Sequence, residues 1–292
     1  MWKKFSGKWT EKGVTGSMTY REVVTRGEEE LRQAGITEAK NDAWLLMEAV
    51  CKIDRSFYYM HMEEDISEDL LKEYELSVNK RKEHIPLQYI VGETEFMGLK
   101  FKVNSNVLIP RQDTETLVEE ALKFARPQMK ILDMCTGSGC IIISILHNVK
   151  DGKGYAADIS RQAINVAKEN AKLNGVSVLF ERSDLFENVT GSFDMIVSNP
   201  PYIPTSVIPH LMPEVQCFEP VEALDGKEDG LYFYRRIVAE GRDYLNPGGY
   251  LLFEIGYDQG EAVSALMREA GFTDVKVTKD LSGNDRVVSG ML

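Results

Sequence analysis

At 292 residues the chain has room for two domains, each with a core of its own. Its 34 Lys and Arg stand against 46 Asp and Glu, and the formal charge of −12 counts against tight, non-specific binding to a phosphate backbone. The four cysteines form no Cys-x-x-Cys pair and lie at no metal-ligand spacing from the four histidines. No apolar run reaches membrane-spanning length, so a cytoplasmic protein with reduced thiols is expected, rather than one with disulfides, zinc or a membrane span.

Residues 1–17 are basic and aromatic but lack the continuous apolar stretch of a signal peptide, and read as a leader or tag-like segment outside the fold. From 18 to 85 the pattern is helical. Tyr20 to Ala34 stops at Gly35, Thr37 to Cys51 carries Ala43, Leu45, Leu46 and Val50, and Ser67 to Lys82 opens with an acidic first turn. Tyr58, Tyr59 and Met60 are expected to pack between these helices. No chemistry is legible in this unit, which leaves partner recognition as its expected role. Residues 86–105 form a linker in which Gln88 to Val103 alternates like a β-hairpin turning at Gly98. The remainder, 106–292, begins with a helix for which Asp113 is the expected N-cap.

Lys130-Ile131-Leu132-Asp133-Met134-Cys135-Thr136-Gly137-Ser138-Gly139 reads as a buried strand ending in an acidic residue and a glycine-rich turn, and Cys140 to Leu146 as an apolar helix. Strand, glycine turn and helix make the nucleotide-binding corner of a doubly wound α/β sheet, where Gly137 and Gly139 let the backbone approach a ligand. Ile142 replaces the third glycine of a dinucleotide fingerprint, and no Gly-Lys-Ser/Thr of a phosphate loop follows. A second strand, Gly154 to Ala157, ends at Asp158, about twenty residues beyond the turn, where a carboxylate would face ribose hydroxyls. Ser160 is an N-cap candidate for a helix whose apolar face carries Ala163, Val166, Ala167 and Ala171. The third strand, Val176 to Glu181, runs into Ser183-Asp184-Leu185-Phe186.

The fourth strand, Met195 to Ser198, delivers Asn199-Pro200-Pro201-Tyr202. An amide or exocyclic amino nitrogen has its lone pair delocalised, and it attacks a methyl donor poorly unless both hydrogens are held so that the lone pair faces the donor. The Asn199 side-chain carbonyl and the Pro200 backbone carbonyl are two such acceptors, the prolines stiffen the wall between them, and Tyr202 offers a flat face to a planar group. Ile203 to Asp229, with prolines at 204, 209, 213 and 220, is expected to be a substrate-facing loop. Helices over Gly230 to Leu245 and Gln259 to Ala270, a strand over Tyr250 to Ile255, and an antiparallel pair over Val275 to Thr278 and Arg286 to Met291 complete the pattern.

These motifs, with Pro86-Leu87-Gln88-Tyr89 and Leu108-Ile109-Pro110-Arg111 upstream and Glu219-Pro220, Asp229-Gly230-Leu231 and Phe253-Glu254-Ile255-Gly256 downstream, resemble the PrmC/HemK family. The resemblance extends from about Met18 onward. It implies a class I S-adenosylmethionine methyltransferase fold, Rossmann-like with a mixed seven-stranded sheet, behind a small helical domain. It implies methyl transfer to the glutamine of the Gly-Gly-Gln loop in class I peptide chain release factors, leaving S-adenosylhomocysteine. The donor would be held by Asp133, Cys135, Thr136, Gly137, Ser138, Gly139, Asp158, Asp184 (at the adenine amino group), Leu185 and Asn199. The acceptor would meet Asn199, Pro200, Pro201 and Tyr202, with Arg111 either pairing a ligand carboxylate or lying on the surface. Catalysis would rest on Asn199, Pro200 and Tyr202, with no metal, no membrane, no direct nucleic-acid contact, and a monomer expected.

Two positions depart from the family pattern. Gln112 stands where a second proline is usual, and Leu185 where an aromatic residue often flanks the adenine, so weaker stacking is expected. Rival readings are methylation of a ribosomal-protein glutamine, methylation of the adenine amino group in nucleic acid, and a non-catalytic module that only binds the donor. The acidic charge and the lack of a basic, aromatic recognition domain count against the nucleic-acid reading.

Overall fold

The structure, a computed structural model, describes residues 17–292; most of the expected leader therefore lies outside the described residues. The chain divides into two compact units, one ending at Val91 and one running from Gly92 to Leu292.

The first unit is helical: α1 Tyr20–Gln33, α2 Ala39–Cys51, α3 Arg55–His61, α4 Glu68–Lys82 and α5 Leu87–Val91. Thr19 starts α1 through a reciprocal capping box with Glu22, while Asp54 and Ser67 cap α3 and α4. Val23, Leu31, Leu46, Met47, Tyr74 and Val78 are buried together. The Tyr74 hydroxyl donates to the Ala43 carbonyl at 3.0 Å. A Cβ on Gly27 would lie 2.3 Å from that hydroxyl oxygen, so only glycine lets α1 pass the ring. Arg81 and Asp42 form a buried pair, Nε to Oδ2 at 2.8 Å. The expected packing of Tyr58, Tyr59 and Met60 holds only for Tyr58, set edge-on against Trp44. Tyr59 and Met60 are 63% and 73% exposed, because the seven-residue α3 has one inward face and they sit on the other.

The second unit opens with the hairpin β1 Glu93–Phe96 and β2 Leu99–Lys102, turning through Met97 and Gly98 at positive φ. It is shorter than the alternation suggested, since the chain from Leu87 to Val91 is already helical. A 3-10 turn over Gln112–Thr114 precedes α6 Glu115–Phe124. Asp113 therefore sits inside that turn instead of capping the helix, and its carboxylate pairs with Arg286 at 3.2 Å.

Then come β3 Lys130–Met134, α7 Cys140–Asn148, β4 Lys153–Asp158, α8 Arg161–Leu173, β5 Val178–Arg182, β6 Phe193–Ser198, α9 Pro213–Phe218, α10 Tyr232–Gly241, β7 Leu245–Glu254, α11 Gly260–Glu269, β8 Thr273–Lys279 and β9 Asp285–Met291. The third expected strand starts two residues late because the Val176 N–H closes α8 on the Ala171 carbonyl. The sheet order is β5-β4-β3-β6-β7-β9-β8, with β9 antiparallel to both neighbours. Successive residues alternate between two cores. Ile131, Met195, Val197 and Leu252 pack with α6, α7 and α8, while Leu132, Ile196, Leu251 and Phe253 pack with α10 and α11. Burial on both faces is what near-continuous apolar runs in a parallel sheet imply.

Candidate active site

Register aligns four strand ends. Met134 pairs with Ala157 of β4 and Ser198 of β6, Asp158 pairs with Arg182 of β5, and Ser198 pairs with Phe253 of β7. The glycine turn, Asp158, Ser183-Asp184-Leu185 and Asn199 therefore leave the sheet side by side at its carboxyl edge, where open α/β sheets bind ligands. The Ser198 hydroxyl donates to the Met134 carbonyl at 2.6 Å and ties the two central strand ends together. A cavity of about 810 Å³ lies over this edge, a size suited to a small-molecule site.

Of the expected residues, Cys135, Thr136, Gly137, Ser138, Asp158, Asp184, Leu185, Asn199, Pro201 and Arg111 line the cavity. Asp133, Gly139, Pro200 and Tyr202 are not among its lining. Gly137 has φ 54 and open space where a Cβ would stand, whereas a Cβ on Gly139 would press Ile143 and Ala167 at 3.0 and 3.1 Å. The first glycine clears room for a ligand, and the second lets α7 close on α8. Asp133 is fully buried beneath the turn. It accepts the Thr136 hydroxyl at 2.6 Å on one oxygen and has no partner on the other. Burial pushes its carboxyl up to about 7, with the Thr136 bond opposing. It holds the turn from below.

Asp158 accepts the Gly137 N–H at 2.9 Å and the Ser160 N–H at 2.8 Å, one on each carboxylate oxygen. Burial raises its pKa, and these two amides oppose the rise. Each oxygen keeps a lone pair for a ligand hydroxyl. Ser160 caps α8 on the Ala163 N–H as expected. Asp184 is held by Arg236, Nη1 to Oδ1 at 2.8 Å, and Arg236 in turn lies over Tyr232 at 5.9 Å. Cys135 and Leu185 both line the cavity at positive φ, 62 and 47, a strained conformation for non-glycine residues. The Leu185 side chain is buried in the core, so little of it faces the cavity where an aromatic residue would stack.

The Asn199 side-chain amide has no hydrogen-bond partner among the described residues and stands at the cavity wall. Tyr202 is set differently from expectation. Its ring packs on the core with Phe253 and its hydroxyl lies 3.4 Å from Glu254 Oε1, so it backs the wall and offers the cavity no flat face. Glu254 is buried, its Oε2 lacks a partner, and burial pushes its carboxyl up to about 7 against the Thr136-like support of the Thr114 hydroxyl and the charge of Arg286. Arg111 has a carboxylate partner within the chain: Nη2 meets Glu219 Oε1 at 2.5 Å, joining the segment before α6 to the Ile203 to Asp229 loop. That loop contributes Pro220, Glu222, Ala223 and Lys227 to the cavity.

Two further residues that hold the site, Asn170 and Gln259, carry no functional motif in the sequence. Asn170, fully buried on the apolar stripe of α8, exchanges bonds with the Lys102 N–H and carbonyl at 2.7 and 3.0 Å and donates to the Ser138 carbonyl at 2.9 Å. A polar residue interrupting that stripe was its available signal. Gln259, just before α11, reaches the carbonyl of Tyr202 at 3.1 Å. All four cysteines are free thiols. Among the described residues no cluster of potential ligands could hold a metal ion, and no helix is long and apolar enough to cross a membrane.

The geometry can be set beside known proteins. Residues 22–92 match the family model described as PrmC N-terminal domain, and residues 112–209 the one described as methyltransferase small domain. A release factor glutamine methyltransferase of Geobacter sulfurreducens is 41% identical over 277 residues, 94% of this chain and 97% of that protein. One from Clostridium acetobutylicum is 43% identical over 254 residues, covering 85% and 89% of the two chains. The crystal structure of a methyltransferase from Pyrococcus furiosus, 20% identical, aligns with a TM-score of 0.51 over 66% of this chain and 89% of its own. That likeness concerns the fold.

Proposed function

The chain belongs to the release factor glutamine methyltransferase family, and on that premise we propose that it transfers a methyl group from S-adenosylmethionine to the glutamine side-chain nitrogen in the Gly-Gly-Gln loop of class I release factors. It is a methyltransferase with the class I fold, and the reading has it working in the cytoplasm. The observation that carries the reaction is the unpartnered Asn199 amide at the wall of a cavity whose floor is the Gly137 turn.

The donor fits this cavity. Gly137 leaves open space beside the turn, Asp158 keeps acceptor capacity for ribose hydroxyls, and Asp184 stands at the next strand end for an adenine amino group. When bound, the donor supplies an electrophilic methyl on a sulfonium. The chain's own part is positioning. Asn199 Oδ1 and the Pro200 carbonyl accept the two amide hydrogens of the glutamine, which turns the nitrogen lone pair out of conjugation and toward the donor. Pro201 and Pro220 exclude water from that face. No base is needed beforehand, because the nitrogen becomes strongly acidic only once methylated and then loses its proton. Tyr202, packed behind the wall, stiffens it. The helical unit, with no chemistry of its own, is read as the part that recognises the body of the release factor.

The test is transfer of labelled methyl from S-adenosylmethionine to purified release factor, run beside a factor whose Gly-Gly-Gln glutamine is replaced, beside DNA and beside ribosomal protein. Label on the intact factor alone is the expected result. Label only on DNA or ribosomal protein, or none on any acceptor, would overturn the substrate.

A further inference from the structure

The wall that carries Asn199 and Pro200 is gripped at both ends. At its start Ser198 is bonded to Met134. At its far end a clamp closes on Tyr202, and three of its four polar contacts are with backbone. Gln259 Nε2 donates to the carbonyls of Tyr202 at 3.1 Å and Gly230 at 3.3 Å. Its Oε1 accepts the Gly256 N–H at 2.9 Å and lies 3.5 Å from the Tyr234 hydroxyl. The side chain is 8% exposed, so a buried amide uses both its ends to join three separate backbone segments.

Two glycines crowd the same backbone. A Cβ on Gly226 would stand 2.7 Å from the Tyr202 Cα and carbonyl carbon, and one on Gly230 would stand 2.3 Å from the Tyr202 carbonyl oxygen. Backbone bonds extend the same grip: Ile203 N–H to Leu224 carbonyl at 3.0 Å, Gly226 N–H to Ile203 carbonyl at 2.8 Å, and Thr205 N–H to Lys227 carbonyl at 2.9 Å. Between the clamp and the Pro200 carbonyl stands one proline, and the φ of Pro200 itself is also locked, so few free torsions separate the held point from the reacting one.

We propose that Gln259 is a positioning residue for methyl transfer: by holding the Tyr202 carbonyl against Gly226 and Gly230, it fixes where Asn199 and Pro200 present their acceptors. This rests on the wall's role given above. It also makes the substrate-facing loop and the wall one body, so an acceptor seated on the loop is seated relative to both carbonyls. A displacement of about 1 Å at such a wall costs on the order of a hundredfold in rate.

Gln259→Met keeps the length and removes all four polar contacts, while Gln259→Glu keeps the acceptor for Gly256 and replaces the shared donor with a second acceptor. In the full chain, kcat and KM for methyl transfer are measured with release factor, together with donor dissociation constant by calorimetry and thermal midpoint. The expected result is a kcat lowered at least about tenfold in folded protein, with donor affinity unchanged within about twofold. A kcat held within twofold in either folded variant overturns the proposal. So does loss of donor binding in step with kcat, which would make Gln259 a general prop of the fold. If Gln259→Met does not fold, Gln259→Glu, of nearly the same shape, decides between these outcomes. Should the wild type methylate some other acceptor, the substrate reading fails and the same kcat split is read on that acceptor.

Discussion

The helical unit and the carboxyl edge of the sheet use buried polar groups in opposite ways. In the helical unit the buried polar groups complete local structure: Asp42 meets Arg81 and Tyr74 meets a carbonyl of α2, while positive φ falls at chain reversals, Lys52 after α2 and His84 after α4. All five buried side-chain oxygens without partners lie, among the described residues, in the second unit. Three of them, on Asp133, Glu219 and Glu254, lie under or beside the cavity. Positive φ at Cys135 and Leu185 falls there too. The helical unit leaves no buried side-chain oxygen unpartnered among its described residues, whereas the second unit gathers orphaned oxygens and strained backbone at one edge, the pattern that a site trading stability for chemistry would leave.

The comparison predicts where substitutions register. The largest effect belongs to Asn199→Ala, which should lower kcat by at least about 100-fold while calorimetric donor affinity and the melting temperature barely move. Equal turnover in that variant would remove the contrast at its strongest point. Next is Arg81→Ala, which leaves Asp42 buried without its cation and should cost about 3–5 kcal/mol in chemical unfolding, with turnover of the folded fraction unchanged. Replacing both partners by apolar residues should recover most of that loss, and a drop in kcat instead would tie the helical unit to the chemistry.

The smallest effect separates the units by pH. Glu254 titrates near 7 when folded, above the ordinary carboxylate value, so the folded state keeps a proton that the unfolded state has released. The contribution of Glu254 to stability is therefore fully present below its unfolded pKa and is lost as pH rises through about 7. Unfolding free energy across about pH 5 to 8 should fall with pH in the wild type, and Glu254→Gln should flatten it by at most about 1.4 kcal/mol per pH unit. An unchanged slope would mean that Glu254 is ionised at its site.

Much of the edge was legible because the glycine turn, Asp158, Asp184 and Asn199 lie at or just beyond the ends of strands, and a parallel ladder with apolar faces fixes where strands end. Asp158, Gly137 and Asn199 needed nothing further. What could not be read were relations across long sequence distance. Gln259 and Tyr202 are 57 residues apart and Asn170 and Lys102 are 68 apart, so no local pattern marks either bond. Arg111 left two readings open because its partner, Glu219, follows 108 residues later. Local misreadings have local causes. Periodicity counts apolar residues without saying which face finds a partner, hence Tyr59 and Met60, and a 3-10 turn took the place of the cap expected at Asp113.

The bond between Ser198 and Met134 has a consequence for motion. The glycine turn and the segment that carries Asn199 grow from paired residues of neighbouring strands, whose separation is set at about 4.8 Å by the ladder. Fluctuations of the sheet carry both together, so their spacing is as steady as a hydrogen-bonded strand pair. On the proposed reading, catalytic alignment within this unit is a property of its resting state, and turnover should follow arrival of the acceptor more than any closing movement between turn and wall.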